Sequence, residues 1–273
     1  MSERRLIRTQ PGTGTAPRVL ERASTERFTR DLLADLLEDR LGAVVIRDAL
    51  EDTSAVVAHL LTGAGPAGPI SVPPFPGETW GHVLVLAQAH RERYHAFSAA
   101  LHDLMQARNP NPMDVMRSHL EDAAGHSVRC PVGAAGPYVP VTVRRLRPGQ
   151  EVALHSEHDH WPSMDEVRRQ ADTSMQLSCY TTLQACTEGG EIILYHRPPA
   201  GQAPSVEGRS TPEVHRLLAP FGFTEILPRT GDLIVFGGGR YNHRVRPVVR
   251  GERWTMGGFL APARQGGGYL IWS

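Results

Sequence analysis

Apolar positions recur at helical spacing in the first half of the chain and alternate in short runs in the second. In STERFTRDLLADLLEDRLG, Phe28, Leu32, Leu33, Leu36, Leu37 and Leu41 share one helical stripe, with Ser24 or Thr25 as cap and Gly42 as stop. AVVIRDAL reads as a short buried strand, and EDTSAVVAHLLTG as a second capped helix ending at Gly63. A Gly/Pro-rich loop, AGPAGPISVPPFPGE, precedes a helical stretch over about residues 86–124. NPNP at 109–112 must break that stretch, because proline lacks the amide donor and its ring clashes with the preceding turn.

From Tyr138 onward the pattern changes. YVPVTVRRL, QEVALHSE, MQLSCYTTLQ, GEIILYHR, GDLIVFGG, NHRVRPV, RWTMGGFLAP and YLIWS are short, β-branched or alternating, and bounded by Gly, Pro or Asp. Helices followed by many strands predict an α+β protein: an antiparallel sandwich or jelly roll buttressed by N-terminal helices. Residues 1–20, rich in Arg, Thr, Gly and Pro, are expected to be flexible. Residues 21–273 are expected to form a single domain, with helical support over about 24–125 and a jelly-roll core over about 138–273. Two insertions, helix-forming 158–174 and loop-rich 197–222, are placed to act as lids.

Composition narrows the function classes. The 273 residues carry 29 basic and 29 acidic side chains and no net charge, which removes any electrostatic case for nucleic acid or an anionic membrane. Cys130, Cys179 and Cys186 are odd in number and lack CxxC spacing, which points to a reducing compartment and away from a disulfide framework. With no apolar leader and no long apolar run, the chain is expected to be soluble and cytoplasmic, acting on a small molecule, with its oligomeric state open.

The chemistry-bearing residues concentrate in LHSEHDHW, Leu154 to Trp161. A two-histidine, one-carboxylate centre needs His and Asp/Glu two apart on a strand, where alternate side chains share a face, plus a distant His. Three such pairs occur: His90/Glu92, His119/Glu121 and His155/Glu157. The first two lie in helical stretches, where positions i and i+2 diverge around the axis. Only His155/Glu157 ends an alternating run. His243, after the Gly-rich bend GGGRYN, is the distal partner, and Arg253 ten residues later suits the far carboxylate of a chelating acid. The competing reading makes His155 and His243 ordinary strand-edge histidines. His158 and His160 could instead form an H-x-H pair. Arg144, Arg145 and Arg147 alternate on a predicted strand, where an acidic substrate could pair with one of them.

EVALHSEHD, MQLSCYTTLQACTEGGEIILYHR, GDLIVFGGGRYNHRV and RWTMGGFLAPARQGGGYLIWS resemble the Fe(II)/2-oxoglutarate oxygenases that include the welwitindolinone/hapalindole-type free-standing halogenases. The hydroxylases of N-succinylated amino acids are similar. The resemblance implies a double-stranded β-helix with His155 and His243 as imidazole ligands to Fe(II), Arg253 on the distal carboxylate of 2-oxoglutarate, and O2 as co-substrate. It further implies Thr255 beside that carboxylate, Ser178 in the pocket near the iron, and Val152, His158 and Trp161 along the substrate, with His82 on the helical side of the pocket. The halogenases have a small residue, usually glycine, two positions after the first His, which frees an iron position for chloride. Glu157 stands there in this chain, so the resemblance implies a metal held by His155, Glu157 and His243 and a hydroxylated product. Desaturation, cyclisation and halogenation are the alternatives within the class. A catalytically silent jelly-roll binding protein is the alternative outside it.

Overall fold

A computed structural model describes residues 7–24, 26, 32–73, 75–84, 91–157, 162–206 and 208–273. It is a mixed α+β structure dominated by antiparallel strands in two large sheets. Every strand expected from Tyr138 onward is present. Thr142–Leu146, Leu177–Gln184, Leu233–Phe236 and Arg253–Pro262 lie in a nine-stranded sheet, extended by Tyr269–Trp272. Val152–His155, Ile192–Tyr195 and His243–Val245 lie in a five-stranded sheet. One strand of this second sheet, Phe223–Ile226, has no counterpart among the predicted runs. Its polar centre, Thr224 and Glu225, hides the alternation. Those two side chains are buried all the same: Thr224 against His196, and Glu225 paired with Arg246.

Helices form within the stretches whose periodicity predicts them, but the first ends at Leu37, short of Leu41 and the expected stop at Gly42. Leu32–Leu37, Thr53–Leu60, Arg91–Gln106 and Pro112–Ala124 precede the strands from Thr142 onward. The break at NPNP is present, with Asn111 capping the following helix by accepting from the Met113 amide at 3.0 Å. Thr25, Phe28 and His90 lie outside the described residues. Leu33, Leu36, Leu60, Leu101, Met105 and Leu120 pack with Trp80, Trp254 and Met256 in the largest buried cluster, between the helices and the nine-stranded sheet. Among the described residues no helix is long and apolar enough to cross a membrane.

The first twenty residues, expected to be flexible, carry paired strand structure from residue 7 onward. Ile7–Gln10 pairs antiparallel with Phe223–Ile226, and Val19–Ala23 pairs parallel with Ala43–Arg47. Backbone pairing to an existing sheet edge compensates for a composition that predicts disorder. The loop-rich 197–222 segment also contains a helix. Ser210 and Glu213 form a capping box that starts a helix at Thr211–Leu218, whose Val214 and Leu218 pack on Ile193 and Tyr195. Ile192, one residue away, faces the central cavity, so this helix covers the outer face of the five-stranded sheet. In the other insertion, Asp165–Gln170 is helical and buries Val167 among Tyr138, Met164 and Trp272.

Candidate metal centre

Between the two sheets lies a cavity lined by Phe75, Val152, Tyr180, Ile192, Phe236 and Phe259 together with most of the polar residues singled out above. The two sheets present different chemistry to it.

The five-stranded sheet presents lone pairs. His155 and His243 are direct register partners across adjacent antiparallel strands, with ring centroids 4.2 Å apart. His155 Nδ1 donates to the Ala153 carbonyl at 2.7 Å, and His243 Nδ1 donates to the Tyr241 carbonyl at 2.9 Å. A carbonyl only accepts, so the ring proton sits on Nδ1 and the Nε2 lone pair is left free in both rings. His243 Nε2 lies 3.7 Å from Glu157 Oε1, and the donor atoms of His155, Glu157 and His243 all fall within 4.8 Å of one another. Burial, then the neighbouring His243, pushes the His155 imidazole down to about 4, so it is neutral near pH 7. Burial pushes the Glu157 carboxyl up, but the adjoining His243 imidazole, followed by His155 and the Ser178 hydroxyl, outweighs it and holds the group below its usual range.

Glu157 has one methylene more than aspartate, and the fold makes room for it. Its amide donates to the Gly238 carbonyl at 3.1 Å, and its carboxylate folds back to accept from the Ser178 hydroxyl. A Cβ at Gly238 would collide with both the carboxylate and that hydroxyl. The second glycine of GGG thus serves as a floor for the acidic side chain. The helical His119/Glu121 pair does diverge, His119 bonding the Ala49 carbonyl at 2.8 Å and Glu121 the Val128 amide at 3.0 Å.

The nine-stranded sheet presents positive charge and hydrogen-bond donors. Arg253 and Thr255 share the cavity face of Arg253–Pro262, while Trp254 and Met256 point to the helical core. Arg253 is only 4% exposed, yet its Nε has no hydrogen-bond partner among the described residues. Its guanidinium lies 5.5 Å from the ring centroid of Tyr180, whose hydroxyl likewise has no geometric hydrogen-bond partner among the described residues. Two orphaned buried polar groups facing one cavity mark a place for an anionic ligand. Sequence reasoning missed Tyr180. The signal was available, since Tyr180 follows Ser178 by two on one strand and so shares its face. Gln176, buried and also lining the cavity, was missed too.

Ser178, Val152, Thr255 and Arg144 all line the cavity as expected. His82 does not. It is buried with Nδ1 bonded to the Val83 carbonyl at 3.1 Å, and Val83 takes the lining position instead. His158, His160 and Trp161 lie outside the described residues. The donor chemistry fits a mononuclear ferrous centre: two imidazoles and a carboxylate on one side, with the cavity on the other.

The family model described as carrier-protein-independent halogenase WelO5 matches residues 20–273. A crystal structure of an N-substituted L-amino acid dioxygenase from Burkholderia ambifaria AMMD superposes with a TM-score of 0.54 at 15% identity, covering 88% of this chain and 90% of that one. HygX from Streptomyces hygroscopicus, solved with nickel and 2-oxoglutarate bound, superposes with a TM-score of 0.52 at 14% identity, covering 90% and 97%. At these identities the structural likeness establishes the fold alone. No curated protein matches the sequence significantly.

Proposed function

The chain belongs to the carrier-protein-independent halogenase WelO5 family of iron- and 2-oxoglutarate-dependent enzymes, and from that premise we propose that it is a hydroxylase of an unactivated C–H bond in a small molecule. The observation that carries the reading is Glu157. A carboxylate converges with His155 and His243 at the position where the family's halogenases have a small residue that admits chloride. His155, Glu157 and His243 would hold Fe(II), and Arg253, with Thr255 and Tyr180 beside it, would receive the distal carboxylate of 2-oxoglutarate. Bound together with O2, the metal and 2-oxoglutarate supply the oxidising power, with release of succinate and CO2.

The chain's own residues supply the rest. The Nδ1 bonds to Ala153 and Tyr241 aim both imidazoles, and Ser178 and Gly238 fix where the Glu157 carboxylate sits. Val152, Ile192, Phe236, Val245 and Phe259 form an apolar lining that excludes water and suits an aliphatic reacting segment. The strand order Thr142–Leu146, Arg253–Pro262, Leu177–Gln184, Leu233–Phe236 in one sheet, opposite Val152–His155, His243–Val245, Ile192–Tyr195, Phe223–Ile226 in the other, supports a double-stranded β-helix.

The test is anaerobic addition of Fe(II) and 2-oxoglutarate. The wild type is expected to develop the weak visible charge-transfer band of the chelate, and His155→Ala and Glu157→Ala are expected to lose or shift it. A wild type without the band, or a band indifferent to His155→Ala, overturns the site. The product is expected to gain one oxygen. Gain of chlorine in the presence of chloride, or loss of two hydrogens, would replace hydroxylation by halogenation or desaturation.

A further inference from the structure

We infer that the substrate carries a carboxylate and that Arg144 binds it. This deepens the reading above and rests on it, since it takes Arg253 to be committed to 2-oxoglutarate.

Arg144 sits on Thr142–Leu146 directly opposite Thr255, so it projects from the same face of the sheet as Thr255 and Arg253 and lines the same cavity. Its strand neighbours behave differently. Arg145 and Arg147 point the other way, and each has a carboxylate. Arg145 pairs with Glu252 at 2.5 Å and with Glu78 at 3.1 Å, and Arg147 pairs with Glu78 at 3.1 Å. Arg144 makes no ion pair or hydrogen bond among the described residues. Its guanidinium only lies over the Phe75 ring, 4.8 Å from the centroid. Burial, then repulsion from Arg253, lowers it to about 10, which leaves it fully charged at neutral pH.

An unpaired cation in such a place is costly unless a ligand neutralises it. Counting the charges identifies that ligand. The two positive charges of Fe(II) and the one of Arg253 are matched by the three negative charges of Glu157 and 2-oxoglutarate. Among the described side chains that line the cavity, Arg144 is the charge left over, and one substrate carboxylate balances it. Depth separates the two arginines. Arg253 is almost wholly buried beside the orphaned Tyr180 hydroxyl, whereas Arg144 is only partly buried and stacked on an aromatic ring. The deeper guanidinium suits a co-substrate bound first. The shallower one suits the molecule that enters afterwards, with its apolar part directed to Val152, Phe236 and Phe259. A planar guanidinium also matches a carboxylate bidentately, and a lysine would not.

Phenylacetate and its neutral analogue phenylacetamide serve as probes: an apolar body with and without the charge. Calorimetric titration into the anaerobic Fe(II)/2-oxoglutarate enzyme is expected to show phenylacetate binding at least roughly tenfold more tightly, the scale of a charge-assisted hydrogen-bonded pair. Arg144→Gln is expected to abolish that preference, and Arg144→Lys to retain part of it. The chelate band, which also reports folding of each variant, is expected to titrate with 2-oxoglutarate in Arg144→Gln much as in wild type, and to fail in Arg253→Gln. Equal binding of the two probes, no binding of either, or loss of 2-oxoglutarate binding in Arg144→Gln equal to that in Arg253→Gln overturns the inference. Absence of the band from the wild type would instead overturn the metal site itself.

Discussion

The cavity has two walls built to different standards. The wall of lone pairs stands on short strands: Val152–His155 has four residues, His243–Val245 has three, and their register shifts between His243 and Val245. Glu157 lies beyond the strand end, held by one backbone bond and one hydroxyl. The wall of positive charge stands on Arg253–Pro262, a ten-residue strand paired along one side with Leu177–Gln184 and along the other with Thr142–Leu146 and Tyr269–Trp272. Behind it Trp80 and Trp254 pack with centroids 4.8 Å apart. The difference has a physical source. Metal ligands need only converge, because the ion's own binding energy completes their placement. Unpaired guanidiniums repel one another and have no such help, so the backbone must hold them apart until ligands arrive.

The largest effect should come from the support of the second wall. Trp254→Ala removes a fully buried side chain from the largest core cluster and is expected to cost about 3–5 kcal/mol in unfolding free energy, read by urea titration of the metal-free protein. His243→Ala, in the first wall, is expected to change metal-free stability by only about 1 kcal/mol, while abolishing metal binding measured by calorimetry. Comparable losses of metal-free stability in the two variants would break the distinction between the walls.

A smaller effect tests how the first wall positions its acid. Gly238→Ala places a methyl group where the Glu157 carboxylate and Ser178 hydroxyl meet. The glutamate is the flexible partner, so the carboxylate should swing and the fold should hold. The expected outcome is metal affinity weakened by about tenfold, the scale found for disturbed outer partners of metal ligands, with little change in melting temperature. Unchanged metal affinity would mean that Glu157 does not depend on this floor.

The walls were not equally legible in the sequence. His155, Glu157 and His243 could be picked out because strand alternation admits one H-x-E pair and helical periodicity rejects the other two. Arg253 could be read from its spacing after His243; Thr255 and Ser178 came by resemblance, and the structure brings all three to the cavity. What stayed hidden depends on partners distant in the chain. Tyr180 matters through its orphaned hydroxyl beside Arg253, and Gly238 through the side chain that folds over it. His82 was misplaced because a one-residue rotation exchanges it with Val83, and no periodic signal fixes that short segment. The strand Ile7–Gln10 was missed for a related reason. Its order comes from pairing with Phe223–Ile226, more than two hundred residues away, and its own composition carries no trace of it.

The finest distinction lies within the second wall, between adjacent arginines on one strand. Arg145 faces outward, bonded bidentately to Glu252 at 2.5 and 3.0 Å and stacked 5.1 Å from the Trp254 ring centroid. It is about one-fifth exposed, so solvent screens the pair and its contribution stays near the surface range. A double-mutant cycle of Arg145→Gln and Glu252→Gln is expected to give a coupling of about 0.5–1 kcal/mol that shrinks in high salt. Neither change should alter the preference for phenylacetate over phenylacetamide. Arg144→Gln should do the reverse, sparing stability because Arg144 gives up no carboxylate partner in the fold, and removing the preference. If Arg145→Gln removed the preference as well, recognition would belong to the field of the whole arginine cluster, and the inward-facing side chain would lose its special role.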